Sequence, residues 1–124
     1  MKKTTKNFLI VISFIFLAIA ILIFRPVPIV SENNAITEKG IVSEIYSNQG
    51  NDIIFLMENK QRRFYINRGL ENGLELNSLK EKLIGNSIVV KYPKYWTPLD
   101  WNNKIRHISK VEFNNEVLFN ELKE

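Results

Sequence analysis

The sequence predicts a mainly β protein: an N-terminal transmembrane helix, then a small β-barrel of order β-β-β-α-β-β with an extra C-terminal strand. Three observations carry this. Phe8 to Phe24 is apolar except for Ser13 and holds no charge. Beyond Lys39 the chain falls into short alternating or wholly apolar runs separated by Asn, Gly and Pro, which is the period and punctuation of strands. A single capping-box pattern, Ser78-Leu79-Lys80-Glu81, interrupts them.

At a rise of 1.5 Å per residue the apolar run is about 26 Å long, close to the ~30 Å hydrocarbon core of a bilayer. Arg25, Pro26 and Pro28 end it. The arginine can snorkel to the head groups, and the prolines cannot continue a helix. Lys2, Lys3 and Lys6 precede the run and only Arg25 closes it, so the positive-inside bias sets the N-terminus in the cytoplasm and the remainder outside. Ala18-Ile19-Ala20 offers a small-x-small cleavage motif, but Ile21 to Phe24 keep it inside the apolar run, which favours an uncleaved signal anchor over an export signal. Residues 1–24 thus read as a cytoplasmic stub and anchor, and 25–38 as a linker reaching at most ~45 Å. Residues 39–124 read as the extracytoplasmic domain.

In that domain Ile41, Ser43 and Ile45 alternate with Val42, Glu44 and Tyr46 up to a turn cluster at Ser47–Asn51. Ile53–Met57 and Arg62–Asn67, joined by Glu58-Asn59-Lys60-Gln61, read as a hairpin. Gly69 and Gly73 mark a loop. The helix from Ser78 presents Leu79, Leu83 and Ile84 on one face and has Gly85 at its C-terminal cap position. Ser87–Tyr92 is a strand with Ile88, Val90 and Tyr92 on one face. Pro93–Lys104 is a loop rich in aromatic residues, Ile105–Phe113 alternates again, and Asn114-Asn115 is a tight turn into Glu116–Asn120. Three meandering strands, a helix and two strands are the order of the oligonucleotide/oligosaccharide-binding (OB) barrel. Closure into a barrel would also protect the strand edges.

Composition narrows the chemistry. Among 124 residues there is no cysteine and one histidine, which excludes a disulfide framework, a thiol nucleophile and a thiolate metal site. The formal charge of +4 belongs to the N-terminal segment: residues 31–124 hold 13 of the 17 basic residues and all 13 acidic ones. A neutral domain lacks the counterion-release drive for polyanions, so nucleic acid is disfavoured as a partner. No HExxH, Gly-x-Ser-x-Gly, phosphate loop or dinucleotide fingerprint is present. No enzyme activity, cofactor or metal is expected.

Three groups of residues are weighed as candidates for binding. Tyr95, Trp96, Asp100 and Trp101 lie in the loop between the fourth and fifth strands, and both tryptophans of the chain are among them. Such rings stack on a sugar or base, anchor a partner protein, plug the end of a small barrel or sit at the bilayer interface. Lys60, Arg62 and Arg63 form a basic cluster suited to an anion, with Arg68 displayed nearby by the bend Asn67-Arg68-Gly69, where Gly69 would permit positive φ. The alternative is a solvated hairpin whose charges discourage edge pairing. His107 shares a predicted strand face with Ile105, Ser109 and Val111, which suits a packed histidine better than a ligand or base.

The segments Tyr65-Ile66-Asn67-Arg68-Gly69-Leu70-Glu71, Tyr95-Trp96-Thr97-Pro98-Leu99-Asp100 and His107-Ile108-Ser109 resemble a group of small, membrane-anchored bacterial proteins of uncharacterised function with an OB-like domain. The resemblance covers roughly residues 39–120. It implies the architecture and a bacterial cytoplasmic-membrane address, and carries over no activity. The expectation is a non-catalytic, membrane-tethered interaction module for an envelope protein or glycan, held by residues 8–24. The second reading is an oligosaccharide- or oligonucleotide-binding barrel.

Overall fold

The computed structural model describes residues 2–123; Met1 and Glu124, the outermost residues of the predicted stub and domain, lie outside the described residues. Helix α1 spans Lys3–Phe24 and has no buried residue. Among the described residues it is the one helix long and apolar enough to cross a membrane. The one hydroxyl within its apolar run Phe8–Phe24 is satisfied inside the helix, Ser13 Oγ donating to Leu9 O at 2.9 Å.

A 3-10 turn at Glu32–Asn34 leads into seven strands: β1 Ala35–Ser47, β2 Ile53–Met57, β3 Arg63–Ile66, β4 Ser87–Pro93, β5 Ile105–His107, β6 Lys110–Phe113 and β7 Glu116–Asn120. A second helix, α2, occupies Leu76–Leu83. The strands form one mixed sheet of order β5-β3-β2-β1-β4-β6-β7. Strand β1 serves twice: Ala35–Ile41 pairs with β4, and Val42–Ser47 pairs with β2. It starts at Ala35, four residues before the expected Lys39, because the end of the supposed linker finds a ladder partner in β4.

Local departures from the sequence expectation have physical causes. A bulge between Val42 and Glu44 shifts the alternation of β1, so Val42 and Ile45 both enter the core while Ile41 stays exposed. Helix α2 begins at Leu76, so Ser78 is internal and the expected capping box is not formed. Leu79 and Leu83 are buried as expected, but Ile84 is already extended (ψ 129°) and bridges to Val42 instead of sharing their face. At the bend, Arg68 takes the positive φ of 51° and Gly69 does not. Gly69 is small because a Cβ there would lie 2.7 Å from Ile53 Cδ1. Asn114 and Asn115 do form the tight turn, at φ 51° and 64°, the pair of left-handed residues that a two-residue hairpin requires.

The expected closed barrel is not formed. The alternating run Ile105–Phe113 breaks into β5, parallel to β3, and β6, antiparallel to β4. At the break Ile108 N–H donates to Tyr65 O (2.8 Å) and Ser109 N–H to Lys91 O (2.7 Å). The chain thus hands over from one end of the sheet to the other through single bonds, with no ladder joining β5 to β4 among the described residues. The break also ends the expected His107 face, since Ile108 to Val111 are buried consecutively. Between the curled sheet and α2 sits the core, centred on Phe55, Phe64, Tyr92, Ile45, Leu83, Ile88 and Val111.

Candidate binding face

Alternate residues of β1, β2 and β3 point away from the core, and the register lines them up. Tyr46 pairs with Ile54, Ile54 with Tyr65, and Tyr65 with His107 of β5. A second row runs beside it: Glu44 pairs with Leu56, Leu56 with Arg63, and Arg63 with Ile105. Directly opposed residues on one face lie about 5 Å apart at Cβ, so the two rows make a continuous strip over four strands. A groove of about 500 Å³ lies over part of it, lined by Tyr46, Ile54, Tyr65, Arg63 and Ile105, with Asn48, Asp52 and Asn67 adding amide and carboxylate groups at the end where β1 turns into β2.

Two side chains of the strip, Tyr65 and His107, brace each other. The Tyr65 and His107 rings meet edge-on with centroids 5.3 Å apart and an interplanar angle of 87°. His107 Nδ1 lies 3.4 Å from the Tyr65 hydroxyl and Nε2 bonds the Glu121 carboxylate. Both imidazole nitrogens are engaged, so the ring links the Tyr65 hydroxyl to the Glu121 carboxylate. Burial, reinforced by the Asp52 charge, holds the Tyr65 phenol above its ordinary value; at neutral pH it is a neutral hydrogen-bonding group on an apolar ring.

The structure separates the predicted basic cluster. Lys60 Nζ and Arg62 Nη1 converge on Glu38, at 3.3 and 2.7 Å, and the Tyr92 hydroxyl donates to the same carboxylate at 2.6 Å while accepting from Arg62 at 3.2 Å. Burial opposes charge on Glu38, but the Tyr92 hydroxyl with Lys60 and Arg62 outweighs it and holds the carboxyl below its ordinary value. Arg63, the next residue, points to the strip as its guanidinium. Arg68 is exposed at the bend, 3.8 Å from Glu71, and its backbone N–H bonds Asp52 Oδ1 at 2.8 Å.

The aromatic loop is elsewhere. Residues 95–101 do not line the groove; they pack at the C-terminal end of α1. Arg25 Nη2 donates to Trp96 O (2.6 Å), the Tyr95 hydroxyl donates to Arg25 O (2.8 Å), and the Arg25 guanidinium lies 4.8 Å from the Tyr95 ring centroid. Asp100 is spent on structure, its two carboxylate oxygens accepting from Lys104 N and Ile105 N, both at 2.9 Å. Among the described residues no group of three or more Asp, Glu or His is placed to hold a metal.

No family model, no curated protein and no solved structure matches this chain. The strip itself was missed by sequence reasoning. Its signal was present in the outer-face positions of three consecutive strands, where Tyr46, Ile54, Leu56 and Tyr65 stand instead of the charged residues that an ordinary outer face carries, and where Ile54 is covered to 8% exposure.

Proposed function

We propose that this chain is a non-catalytic binding module, tethered by α1 to the outer side of a bacterial cytoplasmic membrane, that takes an extended oligosaccharide of the envelope along the strip over β1, β2, β3 and β5. The observation that carries the reading is the cross-strand row Tyr46–Ile54–Tyr65–His107 with Arg63 beside it. Sugar rings offer apolar faces to tyrosines, and their hydroxyls suit amides, carboxylates and a guanidinium. The supply of both aromatic and polar groups along one groove fits such a ligand. A polyanion fits less well, because Glu44 and Asp52 offset Arg63 and the domain is neutral overall.

Three topological features support an OB-like reading: a bulged β1 shared between β2 and β4, a helix between β3 and β4, and a β5 parallel to β3. In that fold the corresponding outer face of the second and third strands receives oligomers. The outward topology is supported by Lys2, Lys3 and Lys6 before the apolar run against Arg25 alone after it.

The test is a titration of the full chain in nanodiscs with soluble oligosaccharides prepared from cell-wall glycan. Tyr46→Ala with Tyr65→Ala should weaken binding at least about tenfold, the loss of roughly 1.4 kcal/mol or more of stacking. Affinity should change little with salt. A wild type that binds no glycan, or a double variant that binds equally well, refutes the reading; a steep salt slope redirects it to an oligonucleotide.

A further inference from the structure

The aromatic loop has its polar groups turned inward and its apolar tips turned out. Arg106, 9% exposed, donates from Nη1 to Tyr95 O at 2.8 Å. Arg25 holds Trp96 O, Trp96 Nε1 donates to Trp101 O at 3.1 Å, and the two indoles meet edge-on with centroids 5.0 Å apart. Asp100 fixes the exit of the loop through two backbone N–H groups. Against this braced backbone, Leu99 is 74% exposed in a 3-10 turn (Pro98–Asp100) that touches α1, and Trp101, the residue that caps the turn, is 69% exposed. A loop so heavily bonded from behind has not left these side chains out for want of order.

We propose that Leu99 and Trp101 form a foot that seats the domain in the interfacial layer of the bilayer from which α1 emerges. The occupant of this apolar patch is lipid, because the patch is continuous with the membrane exit: Arg25, the first residue after α1, is bonded directly to Tyr95 and Trp96. An arginine at a helix end lies at head-group level, and its partners are held at that level with it. Tryptophan is suited to this layer, its ring apolar and its N–H able to meet head-group oxygen or water. Phe24, at the last turn of the helix, and Ile29, just beyond it, are also exposed and extend the apolar rim. The foot and the tether together give the domain two points of attachment, which fixes the orientation of the binding strip relative to the membrane. This inference rests on the anchoring half of the proposed function and not on the glycan.

The chain reports on this foot by itself, since its two tryptophans are both in the loop. The full chain is reconstituted in vesicles of phosphatidylcholine and phosphatidylglycerol whose acyl chains are brominated close to the head group. Flotation is scored separately from fluorescence. The expected result is a floating protein whose tryptophan emission falls at least about twofold in brominated against ordinary vesicles, with acrylamide quenching weak. Trp101→Phe should remove most of the lipid-dependent quenching, and Leu99→Asp should lower it while the protein still floats. A protein that floats but is quenched by acrylamide and not by bromine overturns the foot alone and leaves the patch facing water. A protein that does not float overturns the anchor and the foot together.

Discussion

Replacing Tyr92 by phenylalanine isolates one hydroxyl in the core. The ring keeps its packing against Phe64 (centroids 5.8 Å) and beneath the Arg106 guanidinium (5.3 Å), so no cavity opens. What is lost is the bond donated to Glu38 and the one accepted from Arg62. Glu38 keeps Lys60 and Arg62, and the cost near neutral pH is therefore about 1–2 kcal/mol. The larger effect is in alkali. Burial, together with the adjacent Glu38 carboxylate, pushes the Tyr92 phenol from its ordinary 10.0 up to about 12. Because the folded value is raised, the associated stability is present below the unfolded value and is lost as pH rises toward the folded one. Across that window the wild type should lose roughly 2–3 kcal/mol through this group, and the variant should lose none of it. Urea unfolding of the full chain in micelles, followed by circular dichroism from about pH 8 to about pH 11, should show the two stabilities converging as pH rises. Phenolate absorbance should show that the variant has lost the last tyrosine to titrate. A gap between the two proteins that stays constant over that range would refute the placement of the hydroxyl against Glu38.

Glu38→Gln tests the same cluster from the acid side: the folded carboxyl lies below its ordinary 4.5, so its contribution exists above that value and fades as pH falls through the folded one. The variant should be less stable at neutral pH and show a shallower acid limb in the same unfolding assay. Phe55→Ala, at a position with 0% exposure in the middle of β2, should cost about 3–5 kcal/mol by cavity formation, seen as a lower urea midpoint with unchanged slope. At Asn115, φ 64°, glycine should be neutral or slightly stabilising, whereas valine should lower the unfolding free energy by about 1–2 kcal/mol, read as a lower urea midpoint, because a β-branched residue resists the left-handed region.

Some of this protein was legible from its residues alone because the causes are local. The run Phe8–Phe24 forms a helix whatever else the chain does, since each backbone group finds its partner four residues away. Ile53–Met57 and the turn Asn114-Asn115 are similarly set by short-range pattern and backbone preference. Charge bookkeeping by segment also needed no structure. Neutralisation of Lys60 and Arg62 was hidden because Glu38 stands more than twenty positions away in sequence, and sequence proximity had grouped Arg63 with them although it projects from the opposite side of the sheet.

Tertiary structure alone decided which side chains meet. The bulge after Val42 and the break at Ile108-Ser109 are choices of register, made by how distant strands pair and not by the propensity of any one strand. They put Tyr46, Ile54, Tyr65 and His107 in one row and leave the sheet unclosed. The aromatic loop was visible in the sequence as a feature, but its meaning depended on Arg25, some seventy residues earlier. A periodic pattern determines what a segment is; only the folded chain, by bringing remote segments into bonding distance, determines what it faces.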